Sequence, residues 1–510
     1  MAKFAAVDIG SNSMRLLVAD VQPDGSLRRL AEDRQVTRLG ESVFAGGMLS
    51  EDAIRVTEDV LRRFRSTIDS HTVAGVRIVA TSATRDAGNR EEFLMRTRNA
   101  FGIPIEIISG IEEARLIGLG VDAVWPQGDD PVLIVDVGGG SAEFILSQSG
   151  QMIEGYSRPL GAVRLKQVFL DKDPPRRENL MRLQEFIDEK LEMAVRRLGS
   201  RPFIRAIATS ATAAAIVCAV NEIPRAQRHE ADRRSASLEQ IRRLYRDLAV
   251  LPLDRRRKLA GIGPRRAEII VGGVAVFLRT MERFDFDQLH YSSAGVREGI
   301  VSDLATRGDV AEGARLEEGR RRMVESFAKK FGVSLAHAKV TASFAVQLFE
   351  RLEPLHKLDA KYARLLEAAC HMLDVGHFVS DSAHHKHSHY LVAHSDLPGF
   401  TSLEKQFIAA LCRFHRKSLP ASRHSEWIAL PVAERRALEL LTPFVRIADA
   451  LDRSRDQHVK LLRCEILGDE VVLSLDAQPG KDFLLEEWAV ERTLAAFRLV
   501  YQKNLVVMKG

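Results

Sequence analysis

The stretch VDIGSNS, Val7 to Ser13, returns in kind as VDVGGGS, Val135 to Ser141. An apolar run precedes each copy, Phe4-Ala5-Ala6 and Val132-Leu133-Ile134, and a β-rich run follows each, Met14 to Val21 and Ala142 to Ser147. Each copy therefore reads as strand, acidic-glycine turn, strand. Such self-similarity marks a repeated unit. After the first copy come a helical segment at 50–69, strands at Arg77–Ala83 and Ile103–Ser109, and a helix opening near Gly110. After the second come a strand at 151–158, a helix at 177–198, and a strand from Phe203 that turns helical before Ala215. Alternating strands and helices argue for layered α/β structure. Duplication argues for two like subdomains facing each other across a cleft.

At 510 residues the chain is too long for one ordinary core, since domains run to roughly 100–200 residues. The pattern changes from about Leu304 onward, and the polar, turn-rich stretch Ala305-Thr306-Arg307-Gly308-Asp309 marks a boundary near 305–312. Charged and apolar residues recur at helical spacing through Arg315–Leu352, 361–372, 402–416 and 432–453. The tail, Cys464–Ala477 and Phe483–Tyr501, reads as strands and a helix. The expected organisation is 1–128 and 129–308 as the duplicated pair, 312–460 as a helical domain and 461–510 as a small α/β cap.

Hydrophobic residues at 45% and charged residues at 28% give an ordinary globular profile. No apolar run reaches the roughly 18 residues that a membrane helix needs, and MAKFAAVDIG enters a strand pattern with no signal-peptide plan. A cytoplasmic protein with no membrane partner is expected. Cys218, Cys370, Cys412 and Cys464 lie far apart without a C-x-x-C pair, and read as buried reduced thiols. The net charge of +5 suits a polyanionic ligand. The clusters Arg255-Arg256-Arg257-Lys258 and Arg320-Arg321-Arg322 read as solvated helix faces. Aromatics are only 6% of the chain and do not interleave with the basic clusters, so nucleic acid is not an expected partner.

Chemistry concentrates in the two turns. Gly10, and Gly138-Gly139-Gly140, let backbone N–H groups approach a ligand because no Cβ intervenes. Successive N–H groups in such a turn form an anion nest, to which Ser11, Asn12, Ser13 and Ser141 add side-chain donors. The carboxylates of Asp8 and Asp136 would repel a bare phosphate, so an intervening cation is expected, and magnesium is the natural choice. A single D-x-G would read as an ordinary hairpin; two in the same frame point to a ligand. In ATSATRDA, Thr81 and Arg85 stand at a strand end where they suit phosphate, the guanidinium bidentately, while Ser82 or Thr84 can cap a helix. IISGIEEARLIGLGV opens a helix with two carboxylates; a carboxylate at the start of a cleft-facing helix can orient and deprotonate a water, but from the residues alone both read as surface charges. Glu112, three residues before Arg115, reads as a surface ion pair.

The two turns resemble the phosphate loops of the sugar-kinase, heat-shock-protein and actin superfold. More narrowly, the ordered set VDIGSNS, ATSATRDA, IISGIEEARL, VDVGGGSAEF and GVREG, between Val7 and Gly299, is similar to the exopolyphosphatase/guanosine-pentaphosphatase family. The resemblance implies an α/β fold of two duplicated actin-like (ribonuclease H-like) subdomains, followed by a helical HD-like domain and a C-terminal α/β segment. It implies that Glu113 is the catalytic base and that Asp136, Gly138 and Glu143 contact magnesium or phosphate, giving Asp8, Asp136 and Glu143 as the metal set. It further implies phosphate contacts at Ser210 and Arg297, and a homodimer.

Two departures stand out. Ala211 occupies a position where the family typically has glycine, and its methyl narrows the approach of that loop. Ser293 stands where many members carry aspartate, although Arg297 and Glu298 are retained. Arg297 can bind an anion or pair with the region of Glu298, and the sequence leaves both open. The segment from 315 resembles an HD-type domain, with His337 and Asp449 at first and last metal positions. Its central pair reads Leu373-Asp374, without the histidine, and His371 on the same helical face is not that geometry. HHKHSHY, His384 to Tyr390, is rich enough in imidazole for a transition metal. The expectation is nevertheless a non-catalytic domain whose Lys386 and histidines help hold a long anion.

The resulting expectation is a phosphoanhydride hydrolase, an exopolyphosphatase releasing terminal orthophosphate from inorganic polyphosphate with Mg2+. Hydrolysis of guanosine pentaphosphate is the close alternative, and no residue separates the two. An ATP-dependent phosphotransferase needs an adenosine pocket that the altered third loop does little to supply. A non-catalytic polyphosphate or alarmone sensor would have no use for a preserved Glu113.

Overall fold

The first sheet is built from β1 (Lys3–Ile9), β2 (Ser13–Val21), β3 (Leu27–Val36), β4 (Gly75–Ala80) and β5 (Glu106–Ile107), in the order β3-β2-β1-β4-β5. The second contains β6 (Val132–Val137), β7 (Ala142–Gln148), β8 (Gln151–Arg158), β9 (Arg205–Thr209), β10 (Ser235–Ser237) and β11 (Gln288–Tyr291), in the order β10-β11-β9-β6-β7-β8. β1 pairs antiparallel with β2 and parallel with β4; β6 pairs antiparallel with β7 and parallel with β9. The expected actin-like duplication is thus written in topology as well as sequence. These features come from a computed structural model that describes residues 2–307 and 310–509. Gly308 and Asp309 of the expected polar junction lie outside the described residues.

Local sequence explains where the elements stop. The helix Glu51–Asp69 begins where the Ser50 hydroxyl accepts from the Ala53 N–H, and it buries Ile54, Val60, Leu61, Phe64 and Ile68 along one face. The strand expected at Arg77–Ala83 ends at Ala80, because Ser82 opens a short helix to Asp86. The strand expected at Ile103–Ser109 shrinks to β5, because Ser109 caps the helix Gly110–Val124, accepting from the Glu112 N–H at 3.2 Å.

By chain order the helix Val296–Thr306 falls in the second half of the duplicated pair. By packing it covers the first sheet, its Ile300 and Val301 joining Ala6, Leu17, Val79 and Leu116 in one apolar cluster. Gly299 makes that approach possible: a Cβ there would stand 1.8 Å from the Leu116 carbonyl oxygen.

The chain divides into two compact units, Met1–Ala314 and Arg315–Gly510. The second has helices at Val310–Lys330, Leu335–Arg351, Lys361–Met372, His384–Ala393, Ser402–Phe414 and Val432–Ala450, then a sheet of β12 (Val459–Leu467), β13 (Glu470–Ala477) and β14 (Asn504–Lys509). Val471, Leu473, Phe497 and Leu505 of this tail share one apolar core with Phe407, Leu441 and Phe444 of the helices, so the tail is no separate cap.

Two arginines read as solvated are buried. Arg256 donates to the Ala267 carbonyl, and Arg320 to the Gly399 carbonyl at 2.8 Å. The four cysteines are free and buried. Among the described residues, no helix is long and apolar enough to cross a membrane.

Candidate active site

The duplicated turns are the same object twice. The Gly10 N–H donates to the Ser13 carbonyl at 3.2 Å, and the Gly138 N–H to the Ser141 carbonyl at 3.0 Å. The turns face each other at close range: a Cβ on Gly140 would stand 2.5 Å from Ser82 Oγ and 2.7 Å from Ser11 Oγ. Ser11 Oγ accepts from the Ala83 N–H at 3.1 Å, and the first N–H groups of the helix Ala162–Phe169 donate to the Gly138 and Gly139 carbonyls. N–H groups that a helix end leaves unpaired thereby fix the second loop.

Between the turns opens a cavity of about 700 Å3. It brings together Asp8, Gly10, Ser11, Asn12, Ser13 and Thr81 from the first sheet side with Asp136, Gly138, Gly139, Gly140, Ser141 and Ser210 from the second. Glu113 and Arg297 complete the wall. Two expected site residues are not among the described lining residues. Arg85 instead donates to the Ile108 carbonyl and stands 3.9 Å from Glu113 Oε2, so it faces the carboxylate rather than the cavity. Glu143 is fully buried behind the wall, accepting from Ser157 Oγ at 2.7 Å.

Four carboxyl groups crowd this region, and burial pushes each above its ordinary range. Asp8 rises to about 6 by desolvation, with the Asp136 charge adding to it against the pull of Arg15. Glu143 rises to about 8 by desolvation and the Asp136 charge. Glu113 rises well above normal by desolvation and then Glu143, and Asp136 rises by desolvation although Thr209 donates to it. Oε2 of Glu113 and Oε2 of Glu143 are buried without a hydrogen-bond partner.

Opposite the carboxylates lies a basic wall that the motifs did not reveal. Arg15, Arg34, Arg228 and Arg266 line the cavity; Arg34, Arg228 and Arg266, together with Arg225 and Arg265, also line an adjoining cavity of about 450 Å3 that shares Asn12 and Ala211. Arg15 and Arg34 are direct partners in the register of β2 and β3. Like charges directly opposed across strands destabilise the pair. Arg266 falls to about 9 and Arg34 to about 10, by desolvation and then by the neighbouring guanidiniums. The expected narrowing by Ala211 sits beside Ser210, whose φ of 88° lies in a region that L side chains rarely adopt.

Glu112 is not a surface residue. It is buried and accepts from Arg115 Nε at 2.8 Å and from Arg77 at 3.1 Å. Both arginines also donate to Asp303, at 2.8 and 3.1 Å, and Arg77 donates to Glu106 at 3.0 Å. This network ties the start of the Glu113 helix to β4 and to the helix Val296–Thr306. Arg297 lines the cavity, donates to the Leu16 carbonyl at 3.1 Å, and lies 3.4 Å from Glu298, the pairing that the sequence had left open.

The sequence places the chain directly. Residues 17–307 match the model of the Ppx/GppA phosphatase family, and residues 320–495 match domain III of the same family. The chain belongs to the Ppx/GppA phosphatase family. Its fold is similar to the crystal structure of an Aquifex aeolicus Ppx/GppA family member, with 31% identity, a TM-score of 0.54, and alignment over 61% of this chain and 99% of that one. It is also similar to an exopolyphosphatase from Cytophaga hutchinsonii, with 26% identity, a TM-score of 0.54, and alignment over 59% of this chain and 97% of that one. Both acidic-glycine turns and Glu113 of IISGIEEARL line one cavity, and Glu112 pairs with Arg115 beside it.

The crowding of carboxyl groups has a measurable consequence. Groups whose pKa is raised by folding contribute stability that is fully present below their unfolded values and is lost as pH rises through the folded ones. With Asp8 near 6 and Glu143 near 8, the chelated protein is expected to lose melting temperature between pH 5 and 8. Mg2+ added at pH 8 restores it, and Glu143→Gln flattens the slope. A melting temperature that is flat or rises through this window in EDTA, in the unsubstituted protein, would contradict the crowding.

Proposed function

We propose that the chain is an exopolyphosphatase that removes terminal orthophosphate from inorganic polyphosphate. The observation that carries this reading is the pairing of a partnerless Glu113 Oε2 with two acidic-glycine turns and a continuous guanidinium wall. The carboxyl groups fit a divalent cation, since burial and mutual repulsion raise them and a cation would relieve both. Asp8 and Asp136 would hold it. Bound there, magnesium would supply positive charge that orders and neutralises the terminal phosphate oxygens. Glu143, sealed behind the wall, is not among the residues that line the cavity.

The remaining steps fall to the chain's own groups. N–H groups of the turns at Gly10–Ser13 and Gly138–Ser141, with the hydroxyls of Ser13, Thr81 and Ser141, bind the terminal phosphate. Glu113 Oε2 accepts a proton from water as its oxygen attacks the terminal phosphorus in line. The bond to the bridging oxygen breaks, orthophosphate leaves, and the chain is one phosphate shorter. Desolvation makes Glu113 a stronger base than an ordinary carboxylate. Arg15, Arg34, Arg228 and Arg266 hold the phosphates that follow.

Polyphosphate is favoured over guanosine pentaphosphate by the lining chemistry. Apart from His229, Tyr291 is the only ring among the described residues of the larger cavity, and it is 5% exposed, which leaves a guanine little to stack on. The test is orthophosphate release from long polyphosphate, guanosine pentaphosphate and ATP at saturating Mg2+. A higher kcat/KM for polyphosphate is expected, with KM rising as salt screens the guanidiniums. A preference for guanosine pentaphosphate would replace the reading, and transfer of label to an acceptor without hydrolysis would replace it with a phosphotransferase.

A further inference from the structure

We propose that Asp374, His377, His384 and His415 in the second unit form a site for one divalent first-row transition ion. This site shares no residue with the carboxylate cavity of the first unit, and the proposal does not depend on the substrate.

The geometry begins with three ligand atoms. One carboxylate oxygen of Asp374 and one ring nitrogen each of His377 and His384 lie within 4.8 Å of one another. His415, from just beyond the helix Ser402–Phe414, flanks these three, its Nε2 standing 3.2 Å from His384 Nε2.

The outer nitrogens fix what the inner ones present. His415 Nδ1 lies 2.7 Å from the Cys412 carbonyl and His384 Nδ1 lies 3.3 Å from the Asp381 carbonyl. A carbonyl can only accept, so in each ring the hydrogen is on Nδ1 and the lone pair is on Nε2. Two lone pairs therefore confront each other at 3.2 Å, an arrangement that is repulsive unless a cation completes it. His377 follows the same rule, with Nδ1 2.6 Å from the Asp381 carboxylate and Nε2 3.6 Å from Asp374 Oδ1. Two nitrogens bound tetrahedrally at zinc distances lie about 3.3 Å apart.

A shared proton is the competing cation. Burial disfavours a proton on either His384 or His415. Neutral imidazole is the metal-binding form. Each ring is oriented through its far nitrogen by a carbonyl or carboxylate, the outer-shell arrangement that metal sites use.

The surroundings are rigid. Ser388 Oγ accepts from the Gly376 N–H at 2.9 Å and donates to the Leu373 carbonyl at 2.6 Å, clamping the Asp374–His377 turn to the His384 helix. The four groups line a cavity of about 230 Å3 together with Asp449, Arg416, Arg453 and Arg455. Arg455 pairs with Asp374, and His337 Nε2 lies 3.5 Å from Asp449 Oδ1. The arginines leave the open side of the ion to water or an oxyanion. Imidazole with one carboxylate selects a transition ion over magnesium, which prefers oxygen. Lys386, which the sequence reading gave an anion-holding role, is exposed and does not line this cavity.

The test is titration of the chelated, dialysed full-length protein with Co2+, followed by visible absorption. One equivalent should develop d–d bands without a thiolate charge-transfer band, and Zn2+ should displace it. Asp381 is exposed, so Asp381→Asn leaves the fold alone and should weaken binding about 10–100-fold as an outer-shell change does. His377→Ala, also at the surface, should weaken it further, and His384→Asn should abolish the bands. Asp8→Asn should leave them intact. Absence of stoichiometric Co2+ binding in the unsubstituted protein, or bands unchanged in His377→Ala and Asp381→Asn, would overturn the proposal.

Discussion

Glu113→Gln is expected to lower kcat for orthophosphate release by about two orders of magnitude or more, the usual contribution of a positioned general base. The substitution keeps the shape and removes only the ability to take a proton. Because Oε2 has no hydrogen-bond partner, the amide breaks no existing bond. Because four carboxyl groups repel one another, losing one charge should not loosen the fold. Substrate binding therefore persists, and the defect appears in kcat rather than KM. Single-turnover release from polyphosphate at saturating Mg2+ measures it. Near-normal turnover would remove Glu113 from the mechanism and leave water activation to another group.

Asp303→Asn is expected to destabilise the first unit by about 3–5 kcal/mol, the range for breaking a buried ion pair while its partners stay in place. Asp303 is fully buried and accepts from Arg77, Arg115 and Arg307. The neutral amide leaves those guanidiniums undercompensated in a medium that cannot hydrate them. Denaturant unfolding measures the loss. Turnover should fall as well, since Arg115 and Glu112 hold the first turn of the helix that carries Glu113. A loss below about 1 kcal/mol, the scale of an exposed pair, would mean that the network is solvated.

The turns were legible because the information is local: an acidic residue, glycines and flanking strands suffice to specify them. Glu113 was legible only through family likeness, since a glutamate at a helix start reads as surface. Glu112 shows why. The spacing to Arg115 gives the right pair, but its burial depends on Asp303, far along the chain, which no local pattern carries. The basic wall was hidden for a related reason, because single arginines in strands and loops look solvated. One signal was present: Arg15 interrupts the apolar run Met14 to Ala19. In the second unit, Asp374 and His384 belong to stretches that the sequence singles out, while His415 enters through tertiary packing alone.

The helix that covers the first sheet arrives late in synthesis. While a ribosome is still making β6, the apolar side chains Ala6, Leu17 and Val79 have no Ile300 or Val301 to meet. These side chains must then wait, partly unclad, for a segment more than 200 residues further along. Contacts of such long sequence separation slow folding and lengthen the exposure of sticky surface. The geometry that ties the start of the Glu113 helix to the helix Val296–Thr306 thus also prolongs that exposure while the protein is being made.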